Sequence, residues 1–213
     1  VSIAVLYHWP SSLFTAMVAC RILFAASVVG AAWGLRTAKD APFDVTFEVN
    51  TGGDAPKAAN VTVRVHPEWA PRGAEHFRRL AKAGWYHGNG VFRILPAFVA
   101  QFGLPAEPHP ELSAIPDDPV KVRNKRGTLS FASAGPNSRT SQLFFNYGDN
   151  SFLDEQGFAP FAEVLGDGMQ VIDGFYSGYG QRPVQEKITA LGNAYLDTRF
   201  PKLPKVRRVT IHE

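Results

Sequence analysis

The sequence predicts a mainly β protein with a hydrophobic segment at its N-terminus, and three observations support this. First, FDVTFEVN (Phe43–Asn50) and NVTVRVHP (Asn60–Pro67) alternate apolar and polar residues with a period of two, which is typical of half-buried strands. Second, helical spacing is found in two segments, Glu68–Ala83 and Gly168–Tyr176, so helices are a minor part of the fold. Third, the stretch from Leu13 to Leu35 is almost entirely apolar.

The globular part of the sequence predicts strands and helices in the following order. The polar, glycine-rich turn TGGDAPKAA separates the first two strands, and the helix after them places Ala74, Phe77, Leu80 and Ala81 on one face. Further strands are predicted near Val91–Ile94, Phe98–Phe102, Thr128–Ala132, Leu143–Asn146, Phe161–Leu165 and Arg207–Ile211. The segment Gly178–Leu203 has no periodicity, so we expect it to be a packed surface loop rather than part of a site.

Composition and charge exclude several classes of protein. Hydrophobic residues make up 45% of the chain and charged residues 19%, a balance that excludes an intrinsically disordered chain. The net charge is only +3 and the basic clusters, Lys121–Arg126 and Lys202–Arg208, are short, so we expect no nucleic-acid partner. Cys20 is the only cysteine, which rules out a disulfide within the chain. The histidines show no metal-ligand spacing, and we expect neither a metal nor a cofactor.

Two segments carry the strongest functional signal. They read VFRILPAFVAQFG (Val91–Gly103) and GTLSFASAGPNSRTSQLFF (Gly127–Phe145). Together they place an arginine, glutamines and several phenylalanines on β-rich segments, without a candidate nucleophile. This inventory is unusual for a hydrolase. It suits a pocket that holds an apolar group and polarises a nearby amide.

The two segments resemble the signature of the cyclophilins, the cyclosporin-binding type of peptidyl-prolyl cis-trans isomerase. The resemblance extends from about Phe43 to the C-terminus. Positions that match the family pattern are Arg93, Phe98, Gln101, Ala132, Ala134, Gly135, Pro136, Asn137, Ser141, Gln142, Phe144 and Phe145. The resemblance implies an eight-stranded antiparallel β-barrel capped by two α-helices, and an enzyme that acts on proline-containing polypeptides.

The chemistry of such an enzyme explains why these residue types suffice. Resonance between the peptide nitrogen and its carbonyl gives a rotation barrier of about 18–20 kcal/mol. X-Pro bonds interconvert slowly for this reason, although their two isomers differ by only about 0.5–1 kcal/mol. A cationic donor beside the prolyl nitrogen holds the lone pair out of conjugation, and arginine suits this role because its fork stays charged and planar. The resemblance assigns that role to Arg93, with Phe98 and Gln101 as the other catalytic positions.

The resemblance also implies the substrate pocket. Phe98, Phe144 and Leu153 match the hydrophobic floor that receives the proline ring, with Val99 where the family usually has methionine. Gln101 and Gln142 match the polar residues that orient Arg93 and the substrate backbone. The strand edge along which the peptide lies is matched by Ala132, Ser133 and Ala134.

Two positions depart from the family pattern. Phe152 stands where many members have the tryptophan that contacts cyclosporin, and Phe158 aligns with a histidine. The segment Ser151–Val164 is one residue longer than the usual pattern, so the second alignment can shift by one residue. We therefore expect weak cyclosporin binding and reduced turnover, with Phe152 and Phe158 still part of the pocket.

Some of these residues also have plain structural interpretations. An arginine within an apolar strand is commonly the partner of a carboxylate, which is the alternative for Arg93. Phe98 and Phe144 can be core residues of a barrel, and for Phe145 this is the preferred interpretation because neighbours on a strand face opposite ways. Pro136 and Asn137 are expected to shape a turn.

The N-terminal segment is predicted to be a membrane anchor. Residues 13–35 are long enough to cross a hydrocarbon core, and Trp9 and Trp33 flank the segment as interfacial aromatics do. Arg21 interrupts it and is expected to face a protein partner or to snorkel to the membrane interface. The alternative is a signal or thylakoid-type transfer peptide whose apolar core is Ile22–Gly34. We predict an uncleaved helix, with residues 1–40 as anchor and linker and 41–213 as the isomerase domain.

Two functions follow as alternatives. The first is an isomerase tethered to an organelle membrane, thylakoid or mitochondrial, or to a membrane of the secretory pathway, where it acts on polypeptides that fold or assemble nearby. The second is an accessory structural subunit of a multi-subunit membrane complex, with reduced or no isomerase activity. Fold alone does not decide between them.

Overall fold

Eight antiparallel strands form one sheet in the computed structural model, which describes residues 41–212. The strands are β1 (Phe43–Asn50), β2 (Ala58–Val65), β3 (Arg93–Leu95), β4 (Val99–Phe102), β5 (Thr128–Phe131), β6 (Leu143–Asn146), β7 (Pro160–Val164) and β8 (Lys205–His212). Their order in the sheet is β3-β4-β6-β5-β7-β2-β1-β8. The predicted strands are therefore confirmed, with small shifts at their ends.

The core of the sheet follows from the alternation seen in the first two strands. In β1 every second side chain is buried, beginning with Phe43 and ending with Val49, while the residues between them are half-buried. The fully buried ring of Phe47 lies at the centre of this face, with its centroid 5.8 Å from that of Phe102 and 5.9 Å from that of Phe145. Phe145 is thus a core residue, as predicted.

The two ends of the sheet, β3 and β8, are brought together by the segment that precedes β3. The amide of Gly88 donates to the carbonyl of Val206 at 2.8 Å, and the amide of Val91 donates to that of Pro204 at 2.9 Å. An isolated antiparallel bridge between Gly90 and Lys205 lies between these two bonds. The segment before β3 thereby links the two ends of the sheet by pairing with the start of β8.

The first helix, α1 (Pro71–Lys82), packs on β7 and β8. It begins three residues later than predicted, because Pro71 occupies its first turn, where the fixed φ and missing N–H of proline are tolerated. The predicted apolar face is confirmed, since its four residues are all buried. The second helix, α2 (Gly168–Asp173), packs on β2.

The segment from residue 178 to 203 is not the featureless loop that the sequence predicts. It contains two short helices, α3 (Gln185–Leu191) and α4 (Asn193–Arg199), so residues 41–212 contain four α-helices rather than two. Gly192 joins them with a φ of 57°, a conformation that glycine adopts readily. Each helix has only seven residues and buries one of them deeply, Ile188 or Leu196, which is too few for a helical period to be visible in the sequence.

The prediction of a membrane-spanning helix at residues 13–35 lies outside the described residues, and the domain boundary at residue 40 stays a prediction. Within residues 41–212, none of the helices combines the length and the apolar character needed to cross a membrane.

Candidate active site

Strand pairing brings the signature residues together. Arg93 on β3 is the cross-strand partner of Gln101 on β4, and Gln101 is in turn the partner of Phe144 on β6. Directly paired residues project from the same face of a sheet, so these three side chains lie side by side. They open into a cavity of about 580 Å³.

Every predicted site residue lines this cavity. The predicted residues found there are Arg93, Phe98, Val99, Gln101, Ala132, Ser133, Ala134, Gln142, Phe144, Phe152, Leu153 and Phe158. Four others also line it and were not predicted: Ser138, Thr140, Gln156 and Gln185. Ser138 and Thr140 lie within the second motif and could have been included by their position. Gln185 belongs to α3, and no sequence pattern pointed to it.

A chain of hydrogen bonds orients the guanidinium of Arg93. Its Nη1 donates to Oε1 of Gln101 at 3.2 Å, and Nε2 of Gln101 donates to Oε1 of Gln142 at 2.8 Å. Gln101 is buried, and its amide oxygen and amide nitrogen each have one of these partners. The hydrogen bonds thus connect the guanidinium to Gln101 and, through it, to Gln142.

The charge of Arg93 is not neutralised within the described part of the chain. Among residues 41–212 no carboxylate pairs with it, and its buried Nε has no hydrogen-bond partner there. A buried donor without a partner costs free energy that a bound ligand can recover. Within the described residues, Arg93 is therefore not the ion-pair partner of a carboxylate. Its guanidinium is available to a substrate.

The floor of the cavity is an apolar cluster separate from the main core. Val99, Phe144 and Leu153 are buried in it, and Phe98, Ala132 and Phe158 pack against it. The rings of Phe144 and Phe158 meet edge to face, with centroids 5.8 Å apart and planes at 71°. Such a floor buries a flat apolar group without offering it a polar partner.

The aromatic rim of the cavity is formed by Phe98 and Phe152. Their rings stack with centroids 5.8 Å apart, and the guanidinium carbon of Arg93 lies 5.6 Å from the centroid of Phe98. Phe152 is 54% exposed, so about half of its surface remains open to a bound ligand.

The longer segment around Phe158 is accommodated without displacing that residue from the cavity. Gly157 adopts a φ of 84°, which reverses the chain before Phe158. The side-chain amide of the buried Asn124 donates to the carbonyl of Phe158 at 2.7 Å and to Oδ1 of Asp154 at 2.7 Å. These bonds hold the backbone of Phe158 and the loop before it in place.

The segment from Ala132 to Gln142 forms one wall of the cavity, and its turn is built by polar contacts. Asn137 adopts a φ of 55°, its amide donates to Oδ2 of Asp117 at 2.6 Å, and its Oδ1 accepts from the amide of Asp117 at 2.9 Å. Asn137 therefore shapes the turn, as predicted. Ser138 supports the same turn by accepting from the amide of Ala134 at 2.9 Å.

The buried His76 supports this wall through a hydrogen bond to Thr140. Nδ1 of His76 accepts from Nη2 of Arg79 at 2.7 Å, so Nε2 carries the proton and donates to the carbonyl of Thr140. Burial lowers the pKa of His76 below its ordinary value, opposed by the bond to Thr140 and assisted by the charges of Arg79 and Arg139. The ring is neutral at pH 7 and acts as a fixed support for Thr140.

The chemistry available in the cavity is binding and polarisation. Of the residues described, Arg93 is the one ionisable side chain that lines it, accompanied by hydroxyl and amide groups. No acid, base or thiol among the lining residues could activate a nucleophile. The arrangement can hold an apolar ring on the floor and direct a cationic donor at an adjacent amide.

Comparison with known proteins agrees with this geometry. A family model described as "Cyclophilin type peptidyl-prolyl cis-trans isomerase/CLD" matches residues 46–192, which include both motifs and the whole cavity floor. The chain belongs to this family of cyclophilin-type peptidyl-prolyl cis-trans isomerases.

Particular relatives show how far the similarity extends. The chain is 34% identical over 127 residues to peptidyl-prolyl cis-trans isomerase A of Dickeya dadantii, an alignment that covers 54% of this chain and 65% of that protein. It is 32% identical over 143 residues to peptidyl-prolyl cis-trans isomerase B of Escherichia coli, covering 61% of this chain and 81% of that one. The chain thus spans about 65% of the length of the first of these relatives.

A solved structure shares the fold. The crystal structure of a cyclophilin type peptidyl-prolyl cis-trans isomerase from Cryptosporidium parvum superposes with a TM-score of 0.59 at 18% identity, covering 81% of this chain and 99% of that one. At this identity the similarity establishes the architecture, and the function has to be argued from the site.

Proposed function

We propose that this protein catalyses cis-trans isomerisation of X-Pro bonds in polypeptides. The observation that supports this most is the position of Arg93, whose guanidinium is held by the Gln101–Gln142 pair beside an apolar floor. The proline ring lies on Phe144 and Leu153, and the guanidinium donates toward the prolyl nitrogen.

Rotation about the X-Pro bond needs no covalent step. The nitrogen loses conjugation as the bond twists, and its lone pair becomes a hydrogen-bond acceptor only in the twisted state. A donor that meets this lone pair stabilises the transition state more than either ground state, and each tenfold gain in rate requires about 1.4 kcal/mol of such preference. This explains why a cavity without acid, base or nucleophile is sufficient.

The test is a protease-coupled assay with a proline-containing tetrapeptide. We expect the purified chain to raise the cis-to-trans rate above the uncatalysed rate, and Arg93→Ala to return it almost to that level. Arg207→Ala, which removes an exposed arginine of β8 outside the cavity, is the matched control and should keep full activity. A wild-type rate equal to the uncatalysed one at high protein concentration would refute the proposal.

We propose in addition that the enzyme works at a membrane, anchored by residues 13–35. Support comes from the sequence: the apolar length, the flanking tryptophans and the small residues that permit close helix packing. An arginine at the centre of a span costs about 2.5–3.5 kcal/mol on insertion scales, which a carboxylate or carbonyl of a neighbouring subunit offsets at Arg21. Polypeptides that assemble into that membrane complex are the expected substrates.

The location is tested by alkaline carbonate extraction of native membranes, followed by mild detergent solubilisation and size fractionation. We expect the chain to stay in the membrane pellet and then to migrate with a larger assembly. Deletion of residues 13–35 should release it. Recovery of the full chain as a soluble monomer would show that the segment is not an anchor.

A further inference from the structure

The segment from residue 178 to 203 forms one side of the active-site groove. It follows α2 and first reaches the free edge of β3, where the amide of Ile94 donates to the carbonyl of Gly180 at 2.9 Å. Ile94 is the immediate neighbour of Arg93. The free edge of an outer strand is thereby covered, and the first residue of the helix that follows, Gln185, lines the same cavity as Arg93.

This segment is firmly attached to the domain. Its buried residues Ile188, Leu196 and Leu203 form an apolar cluster with Phe92 and Leu104. The amide of Asn193 donates to the carbonyl of Ala106 at 2.7 Å, and its side chain donates to the carbonyl of Gly88 at 3.0 Å. A helix held in this way presents its outer face in a fixed position.

The outer face of α3 borders two adjoining cavities. Gln185 lines the cavity that contains Arg93, whereas Thr189 lines a second cavity of about 270 Å³. Residues four apart lie on the same face of a helix, so both side chains point toward the groove. Thr140 and Gln142 line both cavities, so the two adjoin and together form the groove beside α3.

We infer that α3 is a substrate-selecting wall, and that Gln185 contacts the residue of an extended polypeptide that flanks the X-Pro bond. Gln185 is exposed and uncharged, and in the part of the chain that the structure describes its side chain has no hydrogen-bond partner. Its amide can donate to and accept from a polar side chain or the backbone of the substrate. The inference rests on the proposed isomerase function and adds to it a preference among flanking residues.

Charge at position 185 gives a sharp test, because the wild-type residue is neutral. Short peptides with a single X-Pro bond carry either glutamate or lysine as the flanking residue, placed before the X-Pro pair in one set and after it in another. The selectivity ratio is kcat/KM for the glutamate peptide divided by kcat/KM for the lysine peptide. It is measured by exchange NMR at physiological ionic strength, where charges more than about 8 Å apart are largely screened.

We expect Gln185→Lys to raise this ratio about two- to fivefold in one peptide set. Gln185→Glu should lower it by a similar factor. Changes of this size are typical of an exposed ion pair. The change should appear in KM with kcat preserved, because the contact is made equally in the ground and transition states. The set that responds identifies the side of the proline that meets α3.

Matched controls lie on the same helix. Glu186→Gln changes the net charge as Gln185→Lys does, and Lys187→Gln changes it as Gln185→Glu does, yet neither residue lines the groove. Both controls should leave the ratio unchanged. Equal shifts in the control and Gln185 variants, or no shift in either, would overturn the inference.

The inference can fail separately from the isomerase proposal. If wild-type protein accelerates none of the peptides, their affinities are measured by titration in the same NMR experiment. The ratio of the affinities for the glutamate and lysine peptides then replaces the ratio of kcat/KM. If it changes with the charge at position 185, it supports the inference that α3 selects substrates. Affinities that ignore this charge refute it, whether or not catalysis is observed.

Discussion

The carboxylate of Asp118 lies 3.1 Å from the guanidinium of Arg139, with Oδ2 facing Nη1, and both side chains are almost completely buried. The same carboxylate accepts from the amides of Arg72 at 3.1 Å and Gly73 at 2.8 Å. Residue 70, which precedes α1, supplies no capping side chain, so Asp118 satisfies the start of that helix from a distant loop. One buried carboxylate therefore joins α1 to the segment that forms the wall of the active site.

The first prediction concerns this joint. Asp118→Ala removes the buried carboxylate partner of Arg139, so that among the described residues this buried charge keeps only the less buried Asp117 as an acidic partner, and it leaves two helix amides unsatisfied. We therefore expect a loss of about 3–5 kcal/mol in the free energy of unfolding. The measurement is equilibrium denaturation in urea. Asp44→Ala is the control: it breaks an exposed pair with Arg64 and should cost about 0–1 kcal/mol. Comparable losses for the two variants would contradict the assigned role of Asp118.

The second prediction concerns the shape of the cation in the active site. Arg93→Lys keeps a positive charge but removes the planar fork that reaches Gln101 with one nitrogen while another faces the substrate. We expect kcat/KM to fall about tenfold to a hundredfold, equivalent to about 1.4–2.7 kcal/mol. The free energy of unfolding should change little, because Arg93 has no ion pair within the described residues. Full activity in the lysine variant would mean that charge alone is sufficient.

The third prediction concerns cyclosporin. Phe152 stands at the rim where many family members have a tryptophan, and a phenylalanine lacks the indole N–H donor. We expect weak binding by the wild-type chain. Phe152→Trp should tighten it about threefold to tenfold, the equivalent of about one hydrogen bond. Because the ring is 54% exposed, the larger side chain should not disturb folding.

Titration calorimetry measures the affinities, and Phe152→Leu serves as the control that changes the rim without adding a donor. If the leucine variant binds as tightly as the tryptophan variant, the donor is not the cause. Tight binding by the wild-type chain would show that the phenylalanine is an adequate replacement.

The sequence could predict the Arg93 side of the groove because its residues lie in two motifs that resemble the cyclophilin signature, and strand pairing brings these motifs together. Arg93 and Gln101 belong to one short hairpin, and the register of its strands follows from their spacing along the chain. Gln185 could not be predicted in this way. Its position depends on where the cluster around Ile188 packs, and such a tertiary contact leaves no period in seven residues. The remote capping of α1 by Asp118 was missed for the same reason.

The fourth prediction separates the pH dependence of activity from that of stability. Arg93 is the ionisable side chain that lines the active-site cavity within the described residues, and arginine stays charged at all pH values that proteins tolerate. We therefore expect kcat/KM to be level from mildly acidic to mildly alkaline pH, for as long as the protein stays folded. A bell-shaped profile, measured with a fixed substrate, would reveal a titrating group that the proposed mechanism does not contain.

Stability should instead decline in mild acid, because the folded state lowers the pKa of His76 below its ordinary value of 6.5. Above that pH the ring is neutral in both states and the full free energy of unfolding is present. As the pH falls below 6.5, the unfolded chain takes up a proton that the folded chain accepts only at lower pH, because protonation of Nδ1 charges a buried ring and breaks its bond from Arg79. Stability is therefore lost until the folded pKa is passed. Urea denaturation across this window should show the decline in the wild-type chain and in the control His109→Gln, which alters an exposed histidine.

His76→Gln should be less stable at pH 7 and should show a shallower decline. An equally steep decline in that variant would assign the acid sensitivity to another group; Asp44 is excluded from this window, because the bond from Arg64 lowers its pKa below the ordinary value of 3.8.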